Sequence, residues 1–103
     1  MNAIGYIRIS PHLQTIGDQE IAIKKFCTEK GLNLLMLFKD SGEYNEDRER
    51  ESWLAVEEYV QYSGEVNFLL FVLPEKITRY NKLIDDVQDH FRRKYNVLLV
   101  AVV

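Results

Sequence analysis

The residues best suited to chemistry in this sequence lie at the end of its first apolar run. Residues 3–9 are typical of a buried β-strand, and Tyr6, Arg8 and Ser10 alternate, so a strand would aim all three at one side. Pro11 cannot donate to a sheet ladder, so the strand should stop near Ser10. Sites in open α/β sheets form beyond the carboxyl ends of the strands. Ser10 and Arg8 could therefore be a nucleophile and an anion clamp, although a strand that merely ends in polar residues has the same pattern.

Two later segments add cations that the predicted fold would bring to the same edge. One segment, residues 40–50, follows the second strand, and the other, residues 75–79, follows the third. Arginine matches a phosphate with two parallel hydrogen bonds and stays charged. Cations beside a serine hydroxyl would stabilise a pentacovalent phosphoryl transition state. The cations that could gather around Ser10 are Arg8, Arg48, Arg50, Lys76 and Arg79.

Other chemistries find less support. Only His12 lies near Ser10 in the sequence, so a Ser-His-Asp hydrolase is poorly supported. No glycine-rich loop follows the first strand, which disfavours P-loop and dinucleotide sites, and Arg8 and Ser10 stand where a receiver-type domain needs acidic residues. Cys27 is the only cysteine, and with His12 and His90 it gives no zinc-ligand spacing. The sequence therefore predicts no zinc site, and we predict that Cys27 is a buried structural thiol.

The elements that must position these residues alternate between strands and helices. Strands are predicted at 3–9, 32–38, 67–73 and 97–103, and helices at 18–30, 51–62 and 78–94. Asp18 and Thr78 are the expected N-caps, Gly31 the expected end of the first helix, and residues 43–50 a charged surface loop. Short crossovers predict a three-layer α/β/α domain with a four-stranded, mainly parallel sheet. The first strand should lie inside it, with the second and third beside it and the fourth beyond the third.

Composition limits the class of protein. The 103 residues form one domain, and 47% hydrophobic with 28% charged content is typical of soluble globular proteins. The net charge of -3 disfavours a chain that coats nucleic acid by itself. No apolar run has membrane-spanning length and no signal peptide is evident, so we expect no membrane association and a cytoplasmic location. The chain ends on an uncapped apolar strand, a pattern that indicates a missing continuation beyond Val103 but is also compatible with a natural end there.

Read in order, the whole chain resembles the N-terminal catalytic domain of the serine site-specific recombinases, the resolvase and invertase family. The strongest match is Gly5-Tyr6-Ile7-Arg8-Ile9-Ser10, which is similar to the family's Y-x-R-x-S strand. The other matching positions are the two glutamines Gln14 and Gln19, the F-x-D segment 38–42, the helix start 50–54, and segment 71–79, where the family has its D-R-[LI]-[ST]-R motif. The ending Thr78-Arg79-Tyr80 is similar to the variant in transposon-borne members.

The resemblance implies a concrete reaction. Ser10 would attack a DNA phosphate, form a 5′-phosphoserine link and release a 3′ hydroxyl. Arg8, Arg50 and Arg79 would hold the scissile phosphate, with Tyr6, Gln14, Gln19 and Asp40 in support. The family needs no metal or nucleotide, because the phosphoserine bond keeps the energy for rejoining. It acts on double-stranded DNA as dimers joined into tetramers, in resolution, inversion, integration or transposition, through a dimerisation helix and a DNA-binding domain that we expect beyond this chain.

Two departures keep alternatives open. The motif's acid is Glu75 instead of aspartate, and its first arginine is Lys76, which supplies a point charge without a planar fork. A second hypothesis is therefore a catalytically impaired, recombinase-like domain that acts as a binding or regulatory module. A third is an unrelated small α/β domain that binds an anionic metabolite. Convergence of Ser10 with the arginines would distinguish the first two from the third.

Overall fold

The computed structural model describes residues 1–8, 15–40, 46–72 and 88–102, with side chains described at 1–7, 15–39, 54–72 and 88–102. Within these ranges the chain alternates strands and helices as predicted. The strands are β1 (Asn2–Arg8), β2 (Asn33–Asp40), β3 (Phe68–Val72) and β4 (Leu98–Val102). The helices are α1 (Ile16–Lys30), α2 (Glu46–Ser63) and α3, which is helical over 88–95.

The described strands form one four-stranded sheet in the order β2-β1-β3-β4. Each neighbouring pair is parallel, which confirms the predicted sheet and the predicted place of every strand in it. At the amino edge, asparagines link the strand starts. The Asn2 amide donates to the side-chain oxygen of Asn67 at 2.8 Å, and the Asn33 side-chain amide donates to the Asn2 side-chain oxygen at 3.3 Å. These bonds reinforce the register in which the carboxyl ends line up.

Helices cover both faces of the sheet, which confirms the three-layer architecture. Successive residues of β1 point to opposite faces, so Ile4 and Tyr6 enter a core with residues of α2 and α3, of which Val56, Val60 and Phe91 are buried. Ala3 and Ile7 enter a second core against α1, with buried partners Ile23, Cys27 and Leu70. Cys27 is a buried free thiol, as predicted.

Helix α1 begins earlier than predicted. Thr15, and not Asp18, is the N-cap: the Thr15 hydroxyl accepts a hydrogen bond from the Asp18 amide at 3.1 Å. Asp18 lies inside the first turn, where its negative carboxylate interacts favourably with the positive end of the helix dipole. The helix ends as predicted at Gly31, with φ of 65°, and the Leu32 amide donates to the Cys27 carbonyl at 2.8 Å.

Helix α2 and strand β2 also differ from the predicted bounds. Residues 46–50, predicted as part of a surface loop, form the start of α2, and Leu54, an apolar residue of the predicted helix 51–62, is exposed. Glutamate and arginine are good helix formers, so a charged stretch is compatible with a helix end. Strand β2 extends to Asp40 and lies at the edge of the sheet, where Leu35 and Met36 are exposed instead of buried. The register shifts opposite Ala3 and Ile4, so that Leu35 has no Cα partner in β1.

The remaining predicted bounds lie partly outside the described residues. The Thr78 cap, most of the third helix and the end of the third predicted strand fall within 73–87. Helix α3 continues to residue 95, one residue past the predicted end, and Asn96 then takes a φ of 57°. No helix among the described residues combines the length and apolar character needed to cross a membrane.

A candidate catalytic edge of the sheet

The carboxyl ends of β1, β2 and β3 form the edge at which the site is predicted. Arg8 and Asp40, the last residues of β1 and β2, are Cα partners in the parallel ladder, and Tyr6 is paired with Phe38 on one side and Phe71 on the other. The segments that follow these three strands therefore begin side by side. This arrangement of the backbone is what the predicted site requires.

Most of the predicted catalytic side chains fall outside the described residues, so their convergence stays a prediction. Ser10 and Gln14 lie in 9–14, and Glu75, Lys76 and Arg79 lie in 73–87. Arg8, Asp40 and Arg50 are placed by their backbone alone. Arg50 lies in the first two turns of α2, which fixes the backbone of this predicted phosphate ligand on a regular helix and not on a loop.

Tyr6 is described in full and is a core residue. Its side chain is 6% exposed and packs in the cluster that contains Ile4, Val56 and Phe91. Phe38, its partner across the ladder, meets Tyr59 of α2 edge to face at 5.6 Å between ring centroids. Tyr6 therefore packs the carboxyl end of β1 against the core on the face of the sheet that α2 covers. These contacts give it a packing role close to the predicted site.

Gln19 is the buried polar side chain of α1. It is 1% exposed and shares one helical stripe with Ile23 and Cys27, which pack on the sheet. Ile23 lies over Gly5, so Gln19, one turn earlier in α1, lies closer to the carboxyl edge. Tyr6 and Gln19 both have interaction partners. They approach the edge from opposite faces of the sheet, and the support of Ser10 that the family resemblance implies for both stays a prediction.

A charge cluster beside this edge was not predicted. Lys39, the residue before Asp40, lies 3.6 Å from a Glu20 carboxylate oxygen, and Lys24 lies 3.1 Å from the other oxygen. The hydrogen bond and charge of Lys24, followed by the charge of Lys39, hold the pKa of Glu20 below its ordinary value. The i, i+4 spacing of Glu20 and Lys24 is visible in the sequence, but the contact with Lys39 depends on the register of β2.

The described part of the chain offers no group of three histidine, cysteine, aspartate or glutamate side chains arranged to hold a metal ion. Glu20 is paired with two lysines, and Cys27 is buried in the core, where burial raises the pKa of its thiol. A raised pKa keeps the thiol protonated and unreactive. Neither side chain is available as a ligand or a nucleophile at this edge.

Comparison with solved structures identifies the fold. The chain is similar to the crystal structure of the C-terminal catalytic domain of ISC1926 TnpA, an IS607-like serine recombinase, with a TM-score of 0.69 and 20% sequence identity. The similarity covers 98% of this chain and 69% of that one. The fold is thus that of a serine recombinase catalytic domain. No family model and no curated protein matches the sequence. That domain is C-terminal in its own protein, so the N-terminal position expected here stays a prediction.

Proposed function

We propose that this chain is the catalytic domain of a serine recombinase that cleaves and rejoins double-stranded DNA through Ser10. The Ser10 oxygen attacks a backbone phosphorus, forms a phosphoserine bond to the 5′ end and loses its proton. The bond from phosphorus to the 3′ oxygen breaks, and that oxygen takes up a proton to become a 3′ hydroxyl. Attack by a 3′ hydroxyl on the phosphoserine reverses these steps and rejoins the strands, so no nucleotide or metal is required.

One observation supports the proposal: the strand that carries the start of the motif belongs to a sheet whose fold is similar to that of a recombinase catalytic domain. Residue types and spacing distinguish Tyr6-Ile7-Arg8-Ile9-Ser10, and β1, which contains the first three of these residues, is an inner strand of the sheet; the structural similarity covers 98% of the chain. The carboxyl end of β1 lies directly beside Asp40 of β2. An inner first strand is common in α/β sheets, so the position of β1 supports the proposal only together with the motif that β1 carries.

The cations of the site have graded roles in this proposal. Arg8, Arg50 and Arg79 each donate in pairs to the non-bridging phosphate oxygens, where negative charge develops as Ser10 attacks. Lys76 donates as a mobile point charge, and Glu75 occupies the position of the motif's acid. Loss of one preorganised donor typically lowers the rate by about 10²–10³-fold. Because Lys76 keeps its charge, we expect slow cleavage and not complete loss.

The test joins residues 1–103 to the dimerisation and DNA-binding segments of a related recombinase and measures covalent protein–DNA adducts. Adducts should form slowly, disappear in Ser10→Ala and increase in Lys76→Arg. Adducts that persist in Ser10→Ala would exclude Ser10 as the nucleophile.

The departures at Glu75 and Lys76 support one alternative function, a domain that has lost cleavage and acts as a binding or regulatory module. The same fusion distinguishes the two functions. If neither the parent fusion nor Lys76→Arg gives adducts while DNA is still bound, the regulatory function is favoured. Assembly into dimers and tetramers on DNA belongs to both functions.

A further inference from the structure

A second polar cluster lies between α2 and α3, on the face of the sheet that Tyr6 also enters. One carboxylate oxygen of Glu57 on α2 meets three donors from α3: the His90 Nε2 at 2.8 Å, the Tyr95 hydroxyl at 2.8 Å and the Lys94 Nζ at 3.4 Å. We call these four residues the Glu57 clamp. Three donors on one oxygen are more than a surface ion pair needs, and they fix both the rotation and the axial position of α2 against α3.

The surroundings of the clamp keep it formed. The Glu57 side chain is 21% exposed, and the rings of His90, Phe91 and Tyr95 contact one another, with Phe91 and Tyr95 centroids 5.8 Å apart. Burial raises the pKa of Glu57, but hydrogen bonds from His90 and Tyr95 outweigh it, so its pKa lies below the ordinary value. Glu57 is therefore ionised at neutral pH, and hydrogen bonds to a charged acceptor are stronger than neutral ones.

The two helices that the clamp joins are adjacent in the chain to different residues of the candidate site. Arg50 precedes Glu57 by seven residues of α2, two turns or about 10.5 Å along the axis. Helix α3 follows the segment that contains Lys76 and Arg79. Val56, Val60 and Phe91 also pack between these helices, but apolar contact is non-directional and tolerates rotation and sliding. The clamp supplies the directional contacts.

We propose that Glu57 is a positioning residue for Arg50: by holding α2 against α3 it sets where Arg50 stands relative to the carboxyl edge. The inference rests on the proposed function, because it assigns Arg50 to the scissile phosphate. Glu57 acts through Arg50 and touches no reacting atom. Its removal leaves DNA binding intact and slows the step in which Ser10 attacks.

The first arm of the test uses the chain itself and requires no activity. Amide hydrogen exchange along α2 is compared in the parent chain, in Glu57→Gln and in Glu58→Gln. Glu58 is the matched control, the same residue type one position further on and exposed to solvent. Exchange of α2 amides should rise about tenfold in Glu57→Gln, as expected for loss of charged hydrogen bonds, and stay unchanged in Glu58→Gln. Equal exchange in the two variants would overturn the clamp whether or not the protein is a recombinase.

The second arm separates positioning from general stability. In the fusion described above, single-turnover adduct formation at saturating DNA should fall about tenfold in Glu57→Gln with an unchanged DNA Kd, and Glu58→Gln should match the parent. In an Arg50→Ala background, Glu57→Gln should not lower the rate of adduct formation further. In an Arg8→Ala background, it should still lower that rate about tenfold. An equal cost in both backgrounds would overturn the assignment to Arg50. If neither the parent fusion nor Lys76→Arg gave adducts while DNA was still bound, the proposed function and the positioning role would both be refuted, while the exchange result would still decide the clamp.

Discussion

Gly5 shows how a single residue determines the packing of α1 on the sheet. A Cβ atom at Gly5 would lie 2.5 Å from the Leu37 Cδ2 and 3.2 Å from the Ile23 Cγ2. The Leu37 methyl can rotate away, but Ile23 is fully buried on α1 and has little room to move. Gly5 therefore lets α1 approach β1 more closely than a larger residue would allow.

We expect Gly5→Ala to destabilise the domain by about 1–3 kcal/mol, as overpacked cores do. Gly17→Ala is the control: nothing lies within 4 Å of a Cβ there, and alanine in a helix gains about 0.5–1 kcal/mol over glycine. Urea unfolding followed by circular dichroism measures both. Equal urea midpoints for Gly5→Ala and Gly17→Ala would contradict the prediction, since they would mean that the space around Gly5 can accept a methyl group.

Sequence reasoning at the residue scale succeeded for residues whose position follows from periodicity. Cys27 was predicted to be buried and Gly31 to end α1, because an apolar helical face and a positive φ leave few alternatives. It could not reveal the Lys39–Glu20 contact or the three donors on Glu57, since these join residues 19 or more positions apart. Long-range polar contacts depend on how the elements are packed, and local patterns do not encode that.

At the scale of elements, the start of α1 illustrates competition between two possible caps. Thr15 and Asp18 are both good N-cap residues, and only the structure shows that the Thr15 hydroxyl accepts from the Asp18 amide. The helix thereby gains Ile16 and Gly17 ahead of Gln19, which shares the buried stripe with Ile23 and Cys27. The charged start of α2 was missed for a related reason, because charge alone does not distinguish a solvated loop from an exposed helix end.

The assignment of the cap gives a direct prediction. Thr15→Ala should lower the free energy of unfolding by about 1 kcal/mol, the usual cost of losing an N-cap side chain. Asp18→Asn removes only the favourable charge in the first turn and should cost about 0.3–1 kcal/mol. Thermal unfolding of the two variants at low salt compares them, with Thr15→Ser as the variant that keeps the cap. A larger loss in Asp18→Asn than in Thr15→Ala would contradict the assignment.

Because of the Glu57 contact between α2 and α3, the free energy of unfolding should decrease at acidic pH. The pKa of Glu57 is lowered in the folded state, so its ionised form stabilises the domain above the unfolded pKa of about 4.5. This contribution is lost as the pH falls from about 4.5 through the lower folded pKa, where the carboxylate takes up a proton and the three donors lose their charged acceptor.

Glu57→Gln should be less stable than the parent near pH 7, and the difference should shrink as the pH falls below about 4. Urea midpoints from about pH 7 to about pH 3 give the comparison. Glu58→Gln, the exposed neighbour, should follow the parent curve at every pH. A difference between Glu57→Gln and the parent that stays constant over this range would show that Glu57 acts by packing and not by charge.

At the scale of the whole molecule, the fold followed from the sequence more fully than the site did. Alternating apolar strands and helices with short crossovers leave few arrangements, and the order β2-β1-β3-β4 was the one expected. The same constraint explains how two chains that are only 20% identical can share a fold, since pattern and length matter more than identity. The site is different, because its side chains lie on the segments after the strands, and periodicity does not fix their conformation.

The charge of the whole domain leads to a prediction about DNA. The net charge is -3, and Lys24 and Lys39 are paired with Glu20, as Lys94 is with Glu57, so several cations are already neutralised within the protein. Non-specific affinity grows with the number of phosphates that free cations neutralise, and about five cations can be gathered at the predicted site. We therefore expect residues 1–103 alone to bind duplex DNA with a Kd of about 10⁻⁴ M or weaker at physiological salt.

Fluorescence anisotropy with a labelled duplex at about 0.15 M salt measures this affinity, and a repeat at about 0.01 M salt should reveal binding that the higher salt suppresses. Glu20→Gln is the informative variant, because it frees Lys24 and Lys39 beside the carboxyl edge and removes one negative charge. The affinity of Glu20→Gln for duplex DNA at low salt should be several-fold higher than that of the parent chain. The affinity should also fall more steeply with salt, by a slope that corresponds to up to about two additional phosphate contacts. Glu29→Gln makes the same change of net charge at the far end of α1. Glu29 lies 4.0 Å from Lys25, a longer distance than either Glu20 contact, so this variant should raise the affinity for DNA less. Sub-micromolar binding by the unmodified chain at physiological salt would contradict the prediction and would mean that the domain carries a DNA-binding surface beyond the predicted catalytic edge.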